Sequence, residues 1–188
     1  MAKLTGNKNK KIKNTLTIFA GIALLFLGVH YTLLKSHLIF DVIGSAILIA
    51  IIYKFYRRFH QDNLSYFSLI FALLLHNLFL YSFSPFGIKF EHYMHFVGGF
   101  TIAIITDRLF NEKLSKTKRL LLLLAFALGI GVIGQIMEWA GAKFLGSGEG
   151  FFFYGIGDEG KWDNSVIDLL FNSLGAAIMG FISLFEKK

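Results

Sequence analysis

Titratable and amide side chains recur at helical spacing in the apolar segments of the second half of the chain. One segment begins EHYMHFVGG, with Glu91, His92 and His95, and a later one contains GQIMEW, with Gln135 and Glu138. Residues three or four apart lie on one face of a helix. Each segment is therefore predicted to carry a polar stripe on an otherwise apolar helix.

A third segment, WDNSVIDLLFNSLGAAIMG, adds Asp163, Asp168 and Asn172. All three segments also carry glycines on the polar faces, and small residues let helices approach closely in a membrane while polar residues tie them together. We therefore expect the three helices to pack on one another, with the polar side chains around a shared pocket.

Histidines beside carboxylates are suited to two kinds of chemistry. They can bind a divalent metal such as Zn or Mn, or they can transfer protons to and from a substrate. The candidate catalytic residues, which are also the candidate metal ligands, are His95, Glu138 and Asp168. The candidate substrate-binding residues are Glu91, His92, Gln135, Asp163 and Asn172. The sequence has no H-E-x-x-H or G-x-S-x-G motif, so these patterns do not decide whether the protein is an enzyme.

Each of these residues also has a structural interpretation. The alternatives are interfacial contact with water for Glu91 and His92, a hydrogen-bonded pair for His95 and Glu138, a helix–helix clamp for Asp168 and Asn172, and a helix N-cap for Asp163. His95, one turn deeper than Glu91, is the residue of its segment that most needs an explanation.

The elements that position these residues follow from the composition. Of 188 residues, 55% are hydrophobic and 16% are charged, whereas a soluble domain carries about 25% charged residues. Apolar runs of roughly 20 residues are long enough to cross a bilayer, and runs this uniformly apolar favour helices over barrel strands. We predict an all-α, polytopic transmembrane bundle forming a single domain over 1–188. The predicted spans are about 15–34, 38–56, 64–83, 92–109, 119–142 and 164–184.

The charges predict an orientation. Most of the 19 Lys and Arg residues flank the same side of the six predicted spans, whereas most acids fall on the other side. Basic loops stay in the cytoplasm, so both termini are predicted to be cytoplasmic and the polar pocket to face outward in a multi-pass protein of the cell membrane. This distribution explains the excess of positive charge, so no nucleic-acid partner is expected. The absence of cysteine excludes disulfides and a thiol nucleophile.

The ordered motifs EHYMHFVGG, GQIMEWAG and KWDNSVIDLLFNSLGAAIMG resemble the VanZ-like group, which includes the YjdF-like inner-membrane proteins. The resemblance covers about residues 90–180 and implies a small polytopic membrane protein of a bacterium or archaeon. VanZ-like members are linked to tolerance of antibiotics that act at the cell surface. The residues at matching motif positions are His95, Glu138, Asp163, Asp168, Asn172 and Gly175.

Three functions are compatible with these patterns. The first is binding of, or action on, a lipid or lipid-linked envelope component at the outer leaflet, with membrane lipid as the partner. The second is a small transporter or proton-coupled carrier, and the third is a structural membrane subunit whose polar residues are packing clamps. Carriers often show internal repeats and place their sites near the midplane. This sequence has no repeat and its polar residues lie near one membrane surface, which favours the first function.

Overall fold

The computed structural model describes residues 2–34, 36, 38–55, 63–78, 83–110, 114–145 and 162–185. Within these ranges the chain forms α-helices and one short 3₁₀ turn, with no strand, which confirms the predicted all-α class. The helices are α1 (Ala2–Leu33), α2 (Ile39–Phe55), α3 (Asn63–His76), α4 (Phe90–Leu109), α5 (Lys116–Leu145) and α6 (Trp162–Phe185).

Three of the described helices contain a segment long and apolar enough to cross a membrane: Lys11–Leu33, Lys116–Ala140 and Asp163–Phe185. The α3 helix is apolar but has only 14 residues, about 21 Å at 1.5 Å per residue, against a hydrocarbon core of about 30 Å. It ends at His76, whereas the predicted third span extends to residue 83. The number of six crossings stays a prediction.

The chain forms two compact units, Met1–Leu78 and Phe79–Lys188. In the first unit, α1 packs against α2 and α3. The Thr17 and Tyr66 hydroxyls share a hydrogen bond of 2.6 Å between α1 and α3. At the end of α3, Asn77 donates to Ser45 of α2 at 2.7 Å and accepts at its carbonyl from Tyr31 of α1 at 2.9 Å. These buried polar contacts hold the three helices of the first unit together.

In the second unit, α4, α5 and α6 pack on one another. The α4 and α6 backbones touch at two glycines. The Cα of Gly99 faces the backbone of Asn172, and the Cα of Gly175 faces the Phe96 carbonyl, so that a side chain at either glycine would overlap the opposite helix. Apolar side chains fill the space between the helices, and the buried core residues are Ala103, Ile104, Leu123, Ala127, Ala176 and Met179.

A buried ion pair closes one end of this unit. Asp107, 3% exposed near the end of α4, accepts from Nε and a terminal nitrogen of Arg119 on α5. The other terminal nitrogen of Arg119 donates to the Ser183 carbonyl of α6 at 3.1 Å. A bidentate Arg–carboxylate pair is geometrically specific. Since it joins three helices, it fixes how their ends meet.

The chain enters α4 through a tight turn at Pro85–Gly87. Phe86 adopts a left-handed conformation, with φ 57°, and its side chain is 98% exposed. The Tyr93 hydroxyl donates to the Pro85 carbonyl at 3.0 Å, which fastens the turn to the first turn of α4.

Candidate functional site

The polar cluster lies at the end of the second unit opposite the Asp107–Arg119 ion pair. It is built from the first two turns of α4, the later part of α5 and the first half of α6. Along α6, Asp168 precedes Ser183 by about 22 Å at 1.5 Å per residue. The two buried polar groups are therefore separate features of the bundle.

Asp168 is the centre of the cluster. It is 1% exposed, and one carboxylate oxygen, Oδ1, accepts from His92 Nδ1 at 2.8 Å. The other oxygen, Oδ2, accepts from Asn164 at 3.1 Å and from Gln135 at 3.2 Å, and lies 3.4 Å from His95 Nε2. All three helices thus contribute a group to one buried carboxylate. The predicted convergence of the three polar stripes is observed.

His92 is the most constrained histidine of the cluster. The residue is 7% exposed, and its ring stacks on Phe171 of α6, with centroids 5.4 Å apart and planes 23° apart. Since the Asp168 carboxylate accepts at Nδ1, the neutral ring has Nε2 as its proton acceptor. His92 is therefore buried between helices, and its interpretation as an interfacial residue in water is wrong. The close contact between Gly99 of α4 and Asn172 of α6 brings the first turns of α4, which carry His92, against α6.

His95 lies one turn further along α4 and is held by two groups of α6. The Asn172 amide nitrogen lies 3.2 Å from His95 Nδ1. Because an amide nitrogen only donates, His95 Nδ1 is the acceptor and its proton is on Nε2, which faces Asp168. Asn172 fits between the helices because Gly131 of α5 lies directly against its amide. This packing fixes the orientation of the His95 ring and of the Asn172 amide relative to each other.

The other carboxylates differ in their surroundings. Glu91 Oε1 is buried, has no hydrogen-bond partner, and lies 3.9 Å from His92 Nδ1. Glu138 shares a hydrogen bond with Gln135 and lies within electrostatic reach of Asp168 and Glu91. Among the side chains that the structure describes, no Lys or Arg forms an ion pair with Glu91, Glu138 or Asp168. The cluster thus brings carboxylates together without a side-chain cation other than histidine.

Asp163 lies apart from this cluster. It is the exposed second residue of α6, within the first helical turn rather than before it. An acid there interacts favourably with the helix dipole. Because α6 already begins at Trp162, Asp163 is a residue of the first helical turn and not the N-cap that the sequence predicted.

One group of side chains has the spacing of a metal site. One ligand atom from each of Glu91, His92 and Asp168 lies within 4.8 Å of the other two. The predicted ligand set of His95, Glu138 and Asp168 shares only Asp168 with this group. Metal binding itself stays a prediction.

Sequence reasoning missed two buried polar contacts. Asn164 is one turn before Asp168 on α6 and donates to it, and the i, i+4 spacing within WDNSVID was the available indication. Arg119, the first residue of the predicted fifth span, is paired with buried Asp107 and donates to the Ser183 carbonyl. No local pattern marks a pair separated by 12 residues across a helix–helix connection.

The apolar helices and the buried polar residues between them define a helical membrane protein. The chain belongs to a family described as predicted membrane proteins (DUF2238), whose model matches residues 12–188. No curated protein and no solved structure matches the chain. The family supports membrane localisation. The finer resemblance to the VanZ-like and YjdF-like proteins, the bacterial or archaeal origin and the orientation of the termini stay predictions.

Proposed function

We propose that the protein binds and acts on a lipid or a lipid-linked envelope component through the polar cluster around His92 and Asp168. The observation that carries this proposal is the buried Asp168 carboxylate, which orients His92 and is itself held by Gln135 and Asn164. Polar and ionisable groups inside a membrane helix cost free energy, and where they occur they usually have a function. A packing clamp would need far fewer titratable groups.

The depth of the polar cluster supports an interaction with a lipid headgroup. Asp168 follows the start of the Asp163–Phe185 span by five residues, or about 8 Å at 1.5 Å per residue. In a hydrocarbon core about 30 Å thick, this depth is nearer to the edge of the core than to its midplane. A carrier would instead place its site near the midplane. From the distribution of charge along the sequence, we propose that this end of the helices faces outward.

The histidine–aspartate pair supplies the chemistry. Asp168 holds the Nδ1 proton of His92 and so fixes the tautomer in which Nε2 accepts a proton. A histidine oriented this way can act as a general base toward a hydroxyl group of the substrate. Glu138, on α5, offers an acceptor to the same polar headgroup, and Gln135 holds its position by hydrogen bonds to both Glu138 and Asp168.

Lipid retention tests this proposal. The full chain, purified in detergent, would be compared with His92→Gln and Asp168→Asn by mass spectrometry of the lipids that remain bound. We expect the wild type to retain one lipid class and both variants to lose it, since each removes a group of the polar cluster. An identical lipid profile in all three proteins would contradict the proposal.

Two control variants separate the site from the fold. Asp163→Asn changes an exposed acid on the same helix and should leave the lipid profile unchanged. Asp107→Asn weakens a buried ion pair at the opposite end of the bundle, so it should lower the unfolding temperature while leaving the profile of the folded protein intact. Counterflow of a labelled solute in liposomes would support the transporter instead.

A further inference from the structure

The buried oxygen Glu91 Oε1 has no hydrogen-bond donor and faces His92 Nδ1. A buried carboxylate oxygen without a donor requires an explanation, and an ion is one of the few available. We infer that Glu91, His92 and Asp168 bind a divalent metal ion. The inference rests on the proposed function, because it names the cofactor of the same polar cluster.

The spacing of the three ligand atoms fits a small cation. His92 Nδ1 lies 2.8 Å from Asp168 Oδ1 and 3.9 Å from Glu91 Oε1. Two atoms that each lie about 2.1 Å from a tetrahedral Zn²⁺ are about 3.4 Å apart, which is between these distances. The third pair of atoms, from Glu91 and Asp168, lies within 4.8 Å, so Glu91 must move toward the other two ligands when the ion binds. The ion displaces the proton that His92 Nδ1 donates to Asp168, and the neutral ring then carries its proton on Nε2. In the metal-bound protein His92 is therefore a ligand, and its role as a general base belongs to the metal-free protein.

The remaining contacts of Asp168 match the surroundings of a ligating carboxylate. Its second oxygen, Oδ2, is held by Asn164 and Gln135, while Oδ1 points to His92. Groups that hydrogen-bond a ligating carboxylate orient it and tune the metal. Asp168 is therefore arranged to bind through Oδ1 alone.

The local charge also favours a cation. Asp168, Glu91 and Glu138 interact unfavourably with one another, and the described part of the chain supplies no Lys or Arg to pair with them. Buried charges in proteins are paired or bind metals. Two carboxylates and one imidazole suit Zn²⁺ or Mn²⁺. Three protein ligands leave a coordination position that an oxygen of a lipid headgroup can take.

This ligand set differs from the one predicted from the sequence. His95 is engaged at Nδ1 by Asn172 and faces Asp168 Oδ2 through Nε2. Glu138 shares its hydrogen bond with Gln135. We therefore assign both residues to the surroundings of the metal rather than to its ligands.

Metal binding to the full chain in detergent tests the inference. Protein stripped with EDTA would be reloaded with Zn²⁺ or Mn²⁺ alone, and the bound ion would be measured by elemental analysis and by chelator competition. We expect one ion per chain, and an affinity at least 100-fold weaker in Glu91→Gln and His92→Gln. Gln135→Leu should weaken binding by about 10–100-fold, as expected for a group that orients a ligand.

Glu91→Gln is the decisive variant. Because Glu91 Oε1 makes no hydrogen bond, this change removes none and should preserve the fold. Without metal, the variant and the wild type should unfold at similar temperatures, and added metal should raise only the wild-type value, since a ligand of the native state stabilises it. Asp163→Asn, which changes an exposed acid of α6 outside the cluster, is the control and should still bind the ion. Absence of a bound ion from the wild type, or equal binding in Glu91→Gln, would overturn the inference. Loss of the ion in Glu138→Gln with retention in Glu91→Gln would also overturn it.

The two proposals fail in different ways. If wild-type protein retains its lipid class without binding a metal, and EDTA does not release that lipid, the metal inference is wrong and the proposed function stands. If metal binding requires Glu91 and His92 but the lipid profile does not depend on His92, the metal site stands and the proposed function is wrong.

Discussion

A methyl group at Gly99 would overlap the backbone of α6, whereas the same group at the adjacent Gly98 would not. A Cβ built on Gly99 lies 2.7 Å from the carbonyl carbon of Asn172 and 2.8 Å from its Cα, and its nearest contact is the Asn172 carbonyl oxygen. A Cβ on Gly98 meets only Asn172 Oδ1, at 3.8 Å. Gly98→Ala and Gly99→Ala are therefore a matched pair with opposite predictions.

The magnitude follows from these distances. Carbon atoms in contact lie about 3.5–4.0 Å apart, so Gly99→Ala must separate α4 from α6 by roughly 1 Å. Overpacking of this kind costs about 1–3 kcal/mol, partly offset by the higher helix propensity of alanine, about 1 kcal/mol. We expect a net loss of about 1 kcal/mol for Gly99→Ala. For Gly98→Ala, which keeps the propensity term without the clash, we expect a gain of up to about 1 kcal/mol.

Thermal unfolding of the two variants in detergent, followed by circular dichroism, measures the difference. One kcal/mol corresponds to about 2–4 °C for a chain of this size, so the two variants should differ by about 4–8 °C, with Gly99→Ala the lower. Equal unfolding temperatures, or a lower temperature for Gly98→Ala, would refute the close α4–α6 contact on which the polar cluster depends.

Three further changes test other parts of the fold. Asp107→Asn leaves the buried Arg119 charge without its partner and should cost about 3–5 kcal/mol; chemical denaturation measures it, and a cost as small as that of an exposed acid would contradict burial of the pair. Phe86→Gly replaces a non-glycine residue in the left-handed region and should stabilise the fold by about 1 kcal/mol, seen as a higher unfolding temperature; an unchanged or lower temperature would contradict backbone strain at this turn. Tyr66→Phe removes the hydrogen bond to Thr17 and should cost about 1 kcal/mol; the Thr17→Val variant should cost a similar amount, and the double variant less than the sum.

The class of the protein was determined by the sequence alone. Lipid offers no hydrogen-bond partner to the backbone, so a long apolar segment in a membrane must satisfy its own N–H and C=O groups by forming a helix. Hydropathy and length were therefore enough to predict the helices. The i, i+3 and i, i+4 spacing of Glu91, His95, Gln135, Glu138 and Asp168 predicted polar faces, and these faces do converge on Asp168. The spacing of residues along one helix determines which of them share a face, so this part of the site can be predicted from the local sequence.

Only the tertiary structure decided which members of each face meet. His92 and His95 are three positions apart, about 60° around a helix axis, and the sequence favoured His95. The Gly99–Asn172 backbone contact fixes the rotation and separation of α4 and α6, and it places His92 2.8 Å from Asp168 and His95 at 3.4 Å. The pairing of Asp107 with Arg119 has the same origin. Both depend on helix–helix approach, which arises from side chains distant in the sequence, and the spacing within one helix carries no information about it.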